Sequence, residues 1–246
     1  MRLAVVLFLG GAMFPLGAVA APAEQAIRTS RVELPSGRGA LRAELFEPAS
    51  GSSRAAILVL HGAGGTLFDG PEMRRVARHL AAEGNAAYVV HYFNSTGTTA
   101  ALDATMQKHF DTWKQAVLDA IAAIQQRRGT RAPVGIYGYS LGGFLAIATA
   151  SNNANVGAVV AQAGGVWNNQ EHRIGRMPPV LIVHGEADQR VPFTKYATPL
   201  RQLLRRRGAK VETLFFPSER HVLSPAAMAE VRPAAAKFFQ RQLRAR

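Results

Sequence analysis

The chain has 246 residues, of which 48% are hydrophobic and 18% are charged, and its formal net charge is +13. This length can bury one substantial core, and this composition excludes a disordered or fibrous protein. Because the sequence contains no cysteine, the fold depends on its core and not on disulfide bonds.

The N-terminal segment MRLAVVLFLGGAMFPLGAVAAPAEQ consists of one basic residue, an apolar stretch and small residues at positions 18–20. This order is typical of a secretory signal peptide. We expect residues 1–20 to be removed, residues 21–246 to form one catalytic domain, and the protein to be exported, periplasmic or secreted. The alternative is a retained membrane anchor, because residues 3–23 carry no charge and approach the ~20 residues that span a bilayer.

Arginines spread along predicted helical faces carry much of the positive charge, and no series of aromatic residues alternates with them. Stacking of nucleic-acid bases needs such aromatic residues, so we expect no nucleic acid as a partner. The arginines are interpreted as solvated helix faces. The alternative is a weak attraction to an anionic membrane surface.

The pattern of apolar residues predicts an α/β domain with eight strands, most of them parallel, and flanking helices. Segments 27–34 and 41–47, joined by the turn-rich PSGRGA, favour an antiparallel hairpin. Compact apolar runs separated by helix-length segments then predict buried parallel strands. The predicted later strands are 55–60, 86–91, 134–137, 156–162, 180–184 and 211–216. The predicted helices are 71–82, 112–128, 141–151, 193–207 and 225–243.

Two irregular stretches interrupt this alternation. Residues 92–111 are long for a strand-to-helix connection, which predicts a functional loop at the edge of the sheet. Residues 163–179 stand where a lid domain could be inserted, and their small number argues against a large lid.

The stretch GIYGYSLGGF places Ser140 between Gly138 and Gly142, where an apolar strand gives way to a helix. A Gly-x-Ser-x-Gly motif at such a turn exposes the hydroxyl, and its glycines let strand and helix approach closely. The helix directs its positive end at the site and favours a developing oxyanion. We therefore predict Ser140 as a nucleophile.

A serine nucleophile needs a base, and the base needs an orienting carboxylate. In the chain order Ser, acid, His, only His221 of the seven histidines lies beyond both Ser140 and the last predicted strand. Asp188, in HGEADQRVP, follows a buried strand at the carboxyl edge of the sheet, where sites of open α/β sheets form. We predict Asp188 as the acid, with Glu186 as the alternative.

The predicted oxyanion hole consists of two backbone N–H groups. One belongs to Leu141, directly after the nucleophile. The other belongs to Ala63 in the glycine-rich LHGAGG, with Gly64 as the alternative. Phe93, Tyr139 and Trp167 are candidates for lining a substrate pocket, with burial in the core as the alternative. The histidines near strand ends have no metal-ligand spacing, so we expect neither a metal nor a cofactor.

With these motifs, the chain resembles the α/β-hydrolase superfamily, and most of all its dienelactone hydrolase-like family. The resemblance spans residues 27–243 and is carried by LVLHGAGG, VVHYFNSTGT, GIYGYSLGGF, LIVHGEADQRVP and ERHV. It implies an α/β-hydrolase fold without a large lid, with Ser140, Asp188 and His221 as the triad. The amides of Ala63 and Leu141 match the oxyanion hole.

The chain departs from dienelactone hydrolases proper in two ways. Those enzymes use a cysteine nucleophile, whereas this chain has Ser140, and their carboxylate-binding arginines have no positional match here. We therefore expect an exported serine hydrolase that acts on carboxylic esters or lactones of modest size. The alternatives are a peptidase resembling the catalytic domain of prolyl oligopeptidases and a noncatalytic envelope-binding protein.

Overall fold

Eight strands form a single sheet in the order β1-β2-β4-β3-β5-β6-β7-β8. The computed structural model of the protein describes residues 26–37, 39–51, 53–167 and 170–243. The strands are β1 (Ile27–Ser36), β2 (Gly39–Pro48), β3 (Ala56–Leu60), β4 (Ala86–Val90), β5 (Val134–Tyr139), β6 (Val156–Gln162), β7 (Val180–Gly185) and β8 (Val211–Phe216). The pairs β1–β2 and β2–β4 are antiparallel and the other pairs are parallel. The predicted fold class is confirmed.

Helices cover both faces of this sheet. They are α1 (Gly65–Phe68), α2 (Gly70–Ala82), α3 (Asp103–Arg127), α4 (Leu141–Ala150), α5 (Phe193–Arg206) and α6 (Pro225–Gln242), with 3₁₀ turns at Tyr92–Thr96 and Glu171–Arg173. Helices α3, α4 and α5 pack on one face and α2 and α6 on the other. Alternate residues of the strands point to opposite faces, so that Leu58 joins the first core and Ile57 the second.

All eight predicted strands are confirmed, and their ends differ from the prediction by a few residues. The irregular stretch predicted for residues 92–111 is too long. A 3₁₀ turn covers Tyr92–Thr96, and α3 begins at Asp103 instead of residue 112. The start of α3 escaped prediction because residues 103–109 include no buried residue and so show no apolar periodicity. The short helix α1 was not predicted.

The predicted signal peptide, residues 1–20, lies outside the residues that the structure describes. In the part of the chain that is described, no helix has both the length and the apolar character needed to cross a bilayer.

The turn between β5 and α4 is packed too closely for side chains at its glycines. A Cβ atom on Gly138 would lie 2.1 Å from the Gly142 carbonyl oxygen, and one on Gly142 would lie 2.5 Å from the Leu60 carbonyl oxygen. These neighbours are backbone atoms, which cannot rotate away. The glycines therefore allow α4 to begin directly beside β3 and β5.

We expect Gly138→Ala to destabilise the protein by about 3 kcal/mol, the upper end of the usual cost of overpacking, because the added methyl group collides with backbone. Gly37→Ala is the matched control, since a Cβ there meets no atom within 4 Å. Thermal unfolding measures both variants. Equal melting temperatures for the two would contradict this account of the turn.

Candidate active site

Ser140 stands at the turn between β5 and α4, at the carboxyl edge of the sheet. Its φ of 52° and ψ of −120° are strained for a residue with a side chain. The Ser140 N–H donates to the Gln162 carbonyl oxygen at 2.8 Å and so ties the turn to β6. The sharp turn holds the hydroxyl at the edge of the sheet.

A continuous hydrogen-bonded chain links Ser140, His221 and Asp188. His221 Nε2 lies 2.9 Å from Ser140 Oγ, and His221 Nδ1 lies 2.8 Å from Asp188 Oδ2. Asp188 follows β7, and His221 follows β8. With its proton on Nδ1, the imidazole donates to the carboxylate, and its Nε2 accepts from the hydroxyl. This geometry suits removal of the hydroxyl proton as the oxygen attacks an electrophile.

Asp188 is a buried carboxylate, only 4% exposed, and both of its oxygens have donors. Oδ1 accepts hydrogen bonds from the N–H groups of Arg190 and Val191, both at 2.8 Å. Burial alone would raise the pKa of Asp188, but hydrogen bonds from His184, His221 and Val191 outweigh it and hold this pKa well below its usual value. The carboxylate therefore stays ionised over the working range of a histidine base.

His184 is a contact of Asp188 that the sequence analysis missed. Its ring is fully buried, and Nε2 lies 2.9 Å from the Val191 carbonyl oxygen and 3.3 Å from Asp188 Oδ2. The sequence feature that could have indicated this contact is the position of His184 at the end of a strand, four residues before Asp188. The alternative acid, Glu186, lies exposed on the same loop.

Backbone donors for an oxyanion stand at two places beside Ser140. Ala63 and Leu141 both line the cavity that contains Ser140. In the glycine-rich loop, the Gly65 N–H donates to the Gly62 carbonyl oxygen at 3.1 Å, and the Gly64 N–H donates to Asp69 Oδ2 at 3.0 Å.

The Ala63 N–H has no hydrogen-bond acceptor among the residues that the structure describes. Leu141 is the first residue of α4, so its N–H has no acceptor within the helix. Of the two candidates in the loop, Ala63 therefore fits an oxyanion donor better than Gly64 does.

A cavity of about 490 Å³ opens beside Ser140. One wall is aromatic and includes Phe144, Trp167 and Tyr196, with the Phe144 and Trp167 rings 5.8 Å apart. The Arg190 guanidinium forms an ion pair with Asp103, and both residues line the cavity. Trp167 thus lines this cavity, and its contact with a substrate stays a prediction.

Two other predicted pocket residues lie elsewhere. The Phe93 ring is buried against His61, at 4.7 Å between ring centroids, and belongs to the core beneath the glycine-rich loop. Tyr139 packs beneath His221, at 5.4 Å between centroids, and is absent from the described lining of the cavity. The structure therefore places neither ring in the described lining of this cavity, because the direction of each side chain depends on packing that composition does not reveal.

Comparison with known proteins gives one family and one fold. The model of the dienelactone hydrolase family matches residues 41–244. A dienelactone hydrolase structure from Anabaena variabilis is 20% identical with a TM-score of 0.68, and the match covers 89% of this chain and 99% of that one. No curated protein matches the chain.

Two further solved structures share the fold. A dienelactone hydrolase-like promiscuous phosphotriesterase from metagenomic libraries is 19% identical with a TM-score of 0.75, over 88% of this chain and 99% of that one. An acylaminoacyl peptidase from Pyrococcus horikoshii is 16% identical with a TM-score of 0.70, over 89% of this chain but 42% of that one.

We expect Asp188→Asn to slow the reaction of Ser140 with a fluorophosphonate by about 10³- to 10⁴-fold, because the amide cannot stabilise the imidazolium or hold the required tautomer. Glu186→Gln, on the same loop, is the matched control and should change the rate less than twofold. Intact-mass spectrometry against time gives both rates. If Glu186→Gln slowed the reaction more than Asp188→Asn, the acid would be Glu186 and not Asp188.

Proposed function

Because the chain belongs to the dienelactone hydrolase family, we propose that it is an exported serine hydrolase that cleaves carboxylic esters or lactones of modest size. The hydrogen-bonded chain from Ser140 through His221 to Asp188 is the observation that carries this proposal. A serine hydroxyl needs a general base more than a cysteine thiol does, and the distance of 2.9 Å from Ser140 Oγ to His221 Nε2 suits that transfer.

In the first half of the reaction, Ser140 Oγ attacks the carbonyl carbon of the ester while His221 Nε2 takes the hydroxyl proton. The negative oxygen of the tetrahedral intermediate accepts hydrogen bonds from the Ala63 and Leu141 N–H groups. As the intermediate collapses, the bond to the alcohol oxygen breaks and His221 returns its proton to that oxygen. The alcohol leaves, and the acyl group remains on Ser140.

In the second half, water attacks the acyl carbon while His221 takes one of its protons. The second intermediate then collapses, the proton passes to Ser140 Oγ, and the carboxylic acid leaves. Asp188 stays ionised throughout and stabilises the imidazolium in each half. In a lactone the leaving alcohol stays attached to the acyl group, so the product is one hydroxy acid.

The size and lining of the cavity support a compact substrate. Its volume is about 490 Å³, which is within the range of small-molecule sites. Phe144 and Trp167 offer an apolar surface for an acyl group. The remaining wall includes the ion pair of Arg190 and Asp103, which favours a polar end of the substrate near the rim.

The structural likeness to an acylaminoacyl peptidase supports a second candidate function, a peptidase with the same triad. That protein is much longer, since the match spans 42% of its chain. Cleavage of aminoacyl amides in preference to matched esters would favour this candidate.

The basic charge supports a proposal about location as well. A groove of about 1110 Å³ lies at the amino ends of the strands, opposite the edge that holds Ser140. Its described lining includes the cations Arg54, Arg128, Arg176 and Lys210 and no carboxylate, and no salt bridge of the described residues involves them. We propose that this basic groove gives the exported protein a weak attraction to anionic membranes.

The central test treats protein that begins at residue 21 with a fluorophosphonate and with p-nitrophenyl esters of increasing acyl length. We expect one covalent adduct, no adduct in Ser140→Ala, and an optimum at short or medium acyl chains because the cavity is small. Ser151→Ala is the control for a serine at the far end of α4. A protein with neither adduct nor turnover would refute the proposed function.

Charge reversal tests the attraction to membranes. We expect Arg54→Glu combined with Lys210→Glu to lower sedimentation with phosphatidylglycerol vesicles several-fold at low salt and to leave ester turnover unchanged. Lys108→Glu with Lys195→Glu makes the same charge change at exposed residues outside the groove and is the control. Equal losses in both pairs would show that net charge, and not the groove, causes binding.

A further inference from the structure

Asp69 occupies a helix N-cap position but does not cap its helix. It directly precedes α2, where an aspartate side chain commonly accepts an N–H from the first turn. Here its side chain forms no such bond. The carboxylate lies against the glycine-rich loop, because α1 is a single helical turn that brings Asp69 back beside the loop, where the Asp69 N–H donates to the Gly65 carbonyl oxygen at 3.1 Å.

The Asp69 carboxylate fills the space that side chains would occupy on the loop. A Cβ on Gly62 would lie 2.8 Å from Asp69 Oδ2, and one on Gly64 would lie 2.8 Å from Oδ1. The Gly64 N–H donates to Oδ2 at 3.0 Å. The Gly62 position is also close to the nucleophile, since the same Cβ would lie 3.1 Å from Ser140 Cβ.

The opposite side of the loop is held separately. The Tyr92 hydroxyl donates to the His61 carbonyl oxygen at 2.7 Å, and His61 Nδ1 lies 2.8 Å from the Gly62 carbonyl oxygen. Burial lowers the pKa of His61 to about 4, so this ring is neutral near pH 7 and Nδ1 serves as the donor. Asp69 holds the loop from the side of α2, and the Ala101 N–H, which donates to the Ala63 carbonyl oxygen at 2.8 Å, holds it from the segment before α3.

We propose that Asp69 is a positioning residue that fixes the glycine-rich loop, so that the Ala63 N–H is held ready for the oxyanion while the Gly64 N–H is occupied. This inference rests on the proposed function, because it assigns the group that orients its oxyanion hole. Asp69 itself touches no reacting atom. It acts through the backbone between positions 62 and 64.

This placement of Asp69 carries a cost in stability. Burial raises the pKa of Asp69, although the Gly64 and Gly62 N–H groups, and His221 when it is protonated, oppose that shift. The other titratable groups that interact with it are Tyr92 and Tyr139. A raised carboxyl pKa means that the ionised form destabilises the fold relative to the protonated form, so stability is lost as pH rises through that pKa.

The experiment compares Asp69→Ala, Asp69→Asn and wild type on a p-nitrophenyl ester, with active sites titrated by fluorophosphonate. We expect Asp69→Ala to lower kcat about 30- to 100-fold, at or below the roughly 10²- to 10³-fold effect of removing one oxyanion donor, with KM changed less than threefold. Asp69→Asn keeps one acceptor for the Gly64 N–H and should recover most of kcat. Inhibition by a trifluoromethyl ketone, which forms an oxyanion on Ser140, should weaken in Asp69→Ala by the same factor as kcat/KM.

Asp119→Ala is the matched control, because the Asp119 carboxylate also accepts a glycine N–H, that of Gly37, at 3.1 Å, and neither residue is in the described lining of the cavity beside Ser140. It should leave kcat unchanged. The melting temperature of Asp69→Asn at pH 7.5 should be equal to or above that of wild type, and the difference should shrink toward acid pH. A merely structural Asp69 would instead lower the melting temperature and leave kcat per titrated site intact.

Full kcat in Asp69→Ala, with an active wild type and an inactive Ser140→Ala, would overturn the positioning role and leave the proposed function standing. An inactive wild type would overturn both. If Asp69→Ala does not fold, a comparison of Asp69→Asn with Asp69→Ser decides the question. Because the serine side chain is shorter and reaches the Gly64 N–H less well, we expect a lower kcat in Asp69→Ser than in Asp69→Asn. Equal kcat in wild type, Asp69→Asn and Asp69→Ser would also reject the proposal.

Discussion

An ionised carboxylate buried in a protein must be surrounded by donors, and Asp188 obtains them from three parts of the chain. The residues just after it supply two N–H groups, the end of β7 supplies His184, and the loop after β8 supplies His221. Without these partners, the ionised group would have to take up a proton. The charge of Asp188 thus determines how the loops at this edge meet, and the orientation of His221 toward Ser140 follows.

The site contains a second carboxylate whose surroundings have the opposite effect. Donors outweigh burial at Asp188, whereas burial outweighs donors at Asp69. Both lie near His221, yet one contacts its imidazole and the other contacts the glycine-rich loop. Two acidic groups near the same histidine can thus have pKa values shifted in opposite directions, because their hydrogen-bond partners differ.

The sequence predicted the sheet and the hydrogen-bonded chain because both have local signals. Alternating strands and helices are visible as apolar runs, and Ser140, Asp188 and His221 each follow one of those runs. The start of α3 and the proposed role of Asp69 have no such signal, since residues 103–109 lack a buried face and the position of Asp69 depends on the single helical turn of α1. Phe93 and Tyr139 lie outside the described lining of the cavity, because an aromatic residue beside a motif can point to the core as readily as to a cavity.

Part of the lining of the cavity beside Ser140 comes from segments that are separate from Ser140, His221 and Asp188. Asp103 and Met106 come from the start of α3, and Trp167 comes from the irregular stretch before β7. Ser140, Asp188 and His221 stand instead on the turns that follow β5, β7 and β8. The shape of the cavity can therefore diverge in descendants of this protein through changes in two peripheral segments, while the hydrogen-bonded chain of Ser140, His221 and Asp188 is inherited intact.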